Sequence, residues 1–199
     1  MITGLLNRLR RGRSDGRKPS SYPMSGAGQK AWLASRWPWI EVDVEGTHPE
    51  AFVHCLPALE KLARCWPEPF AALKSIRATP ESVGWPANHV RAWYDGKGGM
   101  HLRRAKWGRA TDGERCEYLL SHEFGHHMEA WLLDNMEMRD VVAWFIRANF
   151  ELGKEISDYA AISPSEAWAE GFEEQHNRPQ AHWHEYTRRQ ATLLSPWKA

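Results

Sequence analysis

His122, Glu123 and His126 stand in the order His-Glu-x-x-His, inside Leu119-Leu120-Ser121-His122-Glu123-Phe124-Gly125-His126-His127. On a helix, residues four apart share a face, so two imidazoles one turn apart can both reach one tetrahedral metal ion. The glutamate beside them is placed to take a proton from a water on that metal. The chemistry this spacing supports is hydrolysis by zinc-activated water, with His122 and His126 as ligands and Glu123 as general base. A plainer account also exists, in which the histidines are hydrogen-bonded core residues and Glu123 is solvated.

Two histidines do not complete such a site, which needs a third protein ligand. A metzincin carries Gly at position 129 and His at 132, but Glu129 and Leu132 stand there, and that branch is excluded. Glu151 is one candidate, 25 residues after His126, where thermolysin-like enzymes supply a glutamate. Glu166 and Glu170, in Ser163-Pro164-Ser165-Glu166-Ala167-Trp168-Ala169-Glu170, are the others. They lie one turn apart on one helix face. Ser163-Pro164-Ser165-Glu166 is also a helix start, with Ser163 as N-cap and Pro164 in the first turn, so Glu166 has a second possible task as a capping side chain.

Tyr159 precedes Glu166 by seven residues, and Glu166 opens an E-x-x-A-E-x-F run ending at Phe172. With the His-Glu-x-x-His segment, this pair of motifs resembles the lethal-factor-like gluzincins. That group includes the catalytic domain of anthrax lethal factor, the Pro-Pro endopeptidases and metallopeptidase domains of phage head-morphogenesis proteins. The resemblance spans residues 89 to 177. It implies an α+β zincin-like fold with a small mixed sheet, an active-site helix and a C-terminal helical part that brings the third ligand. It implies zinc held by His122, His126 and Glu166, Glu123 as base, Tyr159 steadying the oxyanion, and Glu170 behind the ligands. The activity implied is that of a zinc endopeptidase acting on peptide or protein. Phage structural proteins are possible partners, and the alternative function is a virion or assembly protein that uses the same fold for binding or for one processing event.

The elements that must position these residues are legible as patterns. Thr111-Asp112-Gly113-Glu114 reads as a capping box, after which Cys116, Leu119, Leu120, Phe124, Met128 and Trp131 recur at helical spacing. Trp39 to Val44 and Leu73 to Thr79 read as strands, and Pro49 to Arg64 as a helix. His89 to Tyr94 and Met100 to Arg104 flank Asp95-Gly96-Lys97-Gly98-Gly99, a turn built of hairpin residues. Met100, His101 and Leu102 are the expected substrate-binding positions, on an edge strand that pairs with extended peptide. The alternative is an ordinary sheet edge protected by Arg103 and Arg104. Val141 to Glu151 reads as a packing helix and Pro164 to His176 as the helix of the third ligand. His182-Trp183-His184 has the residue types for metal, although such a pair is commoner as solvated or capping groups.

The 199 residues suit one domain, with 42% hydrophobic content and a net charge of +1 that names no partner. Residues 1 to 30 differ: Arg8, Arg10, Arg11, Arg13, Arg17, Lys18 and Lys30 stand against a single acid, Asp15. They are expected to form a basic flexible arm ahead of a zincin-like domain over 31 to 199. Contact of that arm with nucleic acid is a weaker expectation than simple solvation. Cys55, Cys65 and Cys116 form no even framework and are expected as buried thiols in a reducing compartment. No signal-peptide or membrane-spanning run appears, which suits a cytoplasmic or virion-associated protein without membrane contact.

Overall fold

Helical periodicity dominates the chain, and most of it folds accordingly. The computed structural model describes residues 22–23, 25–43, 53, 55–79, 92–103 and 113–199. In chain order these form α1 (Gly26–Arg36), β1 (Glu41–Asp43), α2 (Cys55–Cys65), α3 (Pro67–Ala71), β2 (Ser75–Thr79), β3 (Ala92–Tyr94) and β4 (Gly99–Arg103). There follow α4 (Gly113–Asp134), α5 (Arg139–Ala148), α6 (Phe150–Gly153), a short turn at Ala160–Ile162, α7 (Pro164–Asn177) and α8 (Glu185–Leu194). The architecture is α+β, mostly helical, with one small mixed sheet.

The sheet runs in the order β1-β2-β4-β3. β1, β2 and β4 are parallel, and β3 returns antiparallel to β4 with Trp93 opposite His101. The β3–β4 turn depends on Gly96 and Gly98, whose φ angles of 73° and 99° are unfavourable for any residue with a Cβ. Asp95 closes it by accepting from the N–H groups of Lys97 and Gly99.

α4 is the central helix. Leu120, Phe124, Met128 and Leu132 recur every four residues and are wholly buried, making one continuous stripe. The stripe meets a core that includes Leu56, Leu59 and Leu62 of α2, Phe70 of α3, and Trp168 and Phe172 of α7. Truncating one such side chain to alanine costs about 2–5 kcal/mol, through lost transfer energy and the cavity left behind. With this stripe inside, the His122 and His126 side of α4 is free to face a cleft.

Several expectations are corrected. The strand carrying Met100, His101 and Leu102 is not an edge, because β2 pairs with it on one side and β3 on the other. Met100 is 0% exposed and Leu102 1%, so they are core residues. Ser25 caps α1, which runs through position 30, so the basic arm does not extend to the boundary drawn from composition. Residues 1–21 lie outside the described residues, as do Thr111 and Asp112 of the capping box. Cys55 is disulfide-bonded and Cys65 is free, which replaces the expectation of three buried thiols and removes the argument for a reducing compartment. No described helix is long and apolar enough to cross a membrane.

Candidate metal centre

The site is built where α4 and α7 touch, and a glycine sets how closely. A Cβ at Gly125 would lie 2.9 Å from the Ala169 Cα, a distance real Cβ atoms do not tolerate. The indole Nε1 of Trp168 donates to the Gly125 carbonyl oxygen at 3.0 Å and pins the crossing. Ser163 caps α7 by accepting from the Glu166 N–H at 3.1 Å. The cap therefore uses the main chain of residue 166 and leaves its side chain for another task.

That side chain turns to α4. Glu166 Oε2 lies 3.1 Å from His122 Nε2 and 3.4 Å from His126 Nε2. The donor atoms of these three residues all lie within 4.8 Å of one another, and the group could hold a metal ion. Ligand bonds of about 2.0–2.1 Å in a tetrahedron place ligand atoms roughly 3.3 Å apart, close to the 3.1 and 3.4 Å from Glu166 to the two nitrogens. Two imidazole nitrogens and one carboxylate oxygen form the donor set of a site with an open fourth position.

The far sides of both rings are also engaged. His126 Nδ1 lies 3.2 Å from Ser165 Oγ, which itself donates to Glu129 Oε2 at 2.5 Å. The serine proton is committed to the glutamate, so Nδ1–H donates to the serine while Nε2 faces Glu166. His122 Nδ1 lies 3.4 Å from Glu170 Oε1 and 3.7 Å from Glu173 Oε2, and Ser157 donates to Glu170 at 2.7 Å. Carboxylates behind metal-ligating histidines fix tautomer and ring orientation in this way.

Charge follows geometry. Burial opposes a charge on His122, but hydrogen bonds with Glu166 and Glu170 outweigh it and push the pKa well above the ordinary histidine value. Burial likewise opposes a charge on Glu166, and the bonds to His122 and His126 overcome it, holding the carboxyl at about 2. An anionic Glu166 between two imidazoles calls for positive charge at that point, supplied by protons or by a cation.

Glu123, only 6% exposed, lines the same cleft of about 470 Å3. Burial raises its pKa, partly offset by His122 and His126. Tyr159 lines the cleft opposite, its ring centroid 5.6 Å from that of His122. Burial, then the charges of Glu166, Glu123 and Glu170, push the Tyr159 hydroxyl upward, so it keeps its proton at neutral pH. Ala92, Trp93 and Tyr94 of β3 and Ala130 and Leu133 of α4 complete much of the lining.

The structure thus brings His122, Glu123, His126, Tyr159, Glu166 and Glu170 together. Glu151 stands apart, 84% exposed at its side chain and paired with Lys154. His184 is bound to the buried Glu174, with Nδ1 2.9 Å from Oε1, and His182 is exposed, so neither joins a metal group among the described residues. Glu129, Ser157 and Ser165 were missed, since nothing in their spacing marks them as partners of His126 and Glu170. His127 adjoins the motif and was passed over; it is buried, with burial pushing its pKa down. Matched against models of protein families, against curated proteins and against solved structures, the chain finds no match.

Proposed function

We propose that this chain is a zinc-dependent endopeptidase of the lethal-factor-like kind. The observation that carries the reading is the convergence of one Glu166 oxygen on Nε2 of both His122 and His126, in a cleft that Glu123 and Tyr159 also line. His122, His126 and Glu166 would hold the metal. Zinc, when bound, supplies a Lewis acid and a water acidic enough to attack at neutral pH.

The remaining steps belong to the chain. Glu123 accepts the proton of the attacking water at its carboxylate and delivers it to the leaving amine, a task suited to a carboxyl whose pKa burial has raised. Tyr159 donates its hydroxyl proton as a hydrogen bond to the oxygen that becomes negative in the tetrahedral intermediate. Glu170 and the Ser165–Glu129 pair keep the imidazoles aimed. β3, at the edge of the described sheet and in the cleft wall, replaces Met100, His101 and Leu102 in this role: the outward main-chain groups of Ala92 and the outward Tyr94 carbonyl are placed to pair with an extended peptide.

The test is zinc content and cleavage of an unfolded protein substrate, comparing the wild type with Glu123→Gln. The variant should keep one zinc and lose hydrolysis, because an amide cannot act as the base and no ligand has been removed. A zinc-loaded wild type that cleaves nothing, or a variant that cleaves undiminished, overturns the reading.

A further inference from the structure

His127 follows the candidate ligand His126 but its ring turns to the interior, where it is 3% exposed. Its Nε2 lies 2.8 Å from the carbonyl oxygen of Pro69 in α3, a group that can only accept. The ring proton therefore sits on Nε2. Among the described residues no carboxylate bonds this imidazole, and a buried ring without one stays neutral. Nδ1 then presents a lone pair, and the Tyr94 hydroxyl, 3.2 Å away, donates to it. The Tyr94 oxygen accepts in turn from the Gly98 N–H. The two rings pack edge to face with centroids 5.4 Å apart.

Tyr94 has a second connection through its main chain. Just after β3 the N–H of Asp95 turns inward to the Gly99 oxygen at 3.0 Å. By the alternation of an antiparallel pair, the N–H of Tyr94 turns the opposite way, to the open side of the sheet. There it faces the carboxylate of Glu123, which lines the same cleft and whose pKa it helps to lower. A continuous path runs from the Pro69 carbonyl through His127 and Tyr94 to Glu123, joining α3, α4 and β3.

We propose that His127 is a positioning residue: by holding the Tyr94 hydroxyl from the interior it fixes β3 against α4, so that the Tyr94 N–H keeps the Glu123 carboxylate aimed into the cleft. What Glu123 does there rests on the endopeptidase reading; the link itself does not. His127 touches neither substrate nor the candidate ligand atoms and acts through Tyr94.

Three variants separate positioning from plain packing. Tyr94→Phe removes one hydroxyl, His127→Phe removes both ring bonds at similar bulk, and His127→Gln restores one donor and one acceptor. In the metal-free protein, long-range 1H–15N spectra should place the His127 proton on Nε2. Exchange of the Tyr94 amide should quicken on the order of tenfold in Tyr94→Phe and in His127→Phe. In the zinc-loaded protein kcat should fall about 100-fold in both, the scale of a misplaced reacting group, with zinc affinity unchanged and with most of the loss recovered by His127→Gln. A proton on Nδ1, or Tyr94 exchange unaltered in Tyr94→Phe, overturns the proposal. Zinc affinity falling as far as kcat overturns it too, since His127 would then be supporting the helix as a whole. If the wild type cleaves no peptide, the endopeptidase reading falls, and the tautomer and the exchange rates still decide the link.

Discussion

Glu170 Oε1 lies 3.4 Å from Nδ1 of His122, across the imidazole from the Glu166 oxygen that faces Nε2 at 3.1 Å. One helix supplies both carboxylates, a turn apart, so α7 embraces the ring from two sides. Spacing alone leaves the two glutamates as competitors for one role, and each lies in a group that could hold a metal ion, Glu166 with His122 and His126, Glu170 with His122 and Glu173. Glu166 shares its oxygen with both histidines, whereas Glu170 reaches only the far nitrogen of one and is itself held by Ser157.

Substituting Glu166→Gln should weaken zinc binding strongly while leaving the protein folded. The Ser163 cap is made to the N–H of residue 166, which glutamine also has, so α7 keeps its start. Glu151→Gln, on the exposed side of α6, serves as the control that changes neither. Competition against a chelator and a melting curve measure the two effects.

Glu170→Ala should cost roughly 10 to 100-fold in zinc affinity, the range for losing a partner behind a ligating histidine. The loss should be smaller than in Glu166→Gln. Equal losses in the two variants would mean that Glu170 contacts the metal itself.

Tyr159→Phe should lower cleavage by about 10 to 1000-fold at nearly unchanged zinc affinity, since one donor to the oxyanion is removed and no ligand. The side chain is only half-buried, so a folding defect is not expected. Steady-state rates on a fixed peptide, with metal content measured in parallel, decide the matter.

His176 gives a pH prediction away from the metal site. Burial, then the charges of Lys61 and Lys198, hold its pKa down at about 3, and its Nε2 is buried without a hydrogen-bond partner among the described residues. Between about pH 3 and 6.5 the unfolded chain binds a proton at this ring and the folded chain does not, so stability must fall as pH falls through that window. His176→Gln should flatten this part of the curve. Urea unfolding at several pH values, wild type beside variant, would reveal an unchanged slope if another group is responsible.

Local periodicity carried much of this protein in the sequence itself. The four-residue spacing of His122 and His126, and of Leu120, Phe124, Met128 and Leu132, defines two sides of one helix wherever that helix lies. Ser163-Pro164 announces α7, and the glycines at 96 and 98 announce the β3–β4 turn, because caps and positive φ angles are decided within a few residues. Strand order is different in kind. Met100 and Leu102 alternate as any strand would, and nothing local tells that Ser75–Thr79 lies beside them and turns an apparent edge into the middle of the sheet. The same holds for the third carboxylate. Glu151, Glu166 and Glu170 were equivalent as residue types until the contact of Gly125 with Ala169 brought one helix, in one rotation, against the histidine face. The pairing of Ser165 with Glu129, of His127 with Tyr94 and the disulfide at Cys55 have the same origin. Periodicity specifies which side chains share a face; only the packing of segments distant in the chain decides which faces meet.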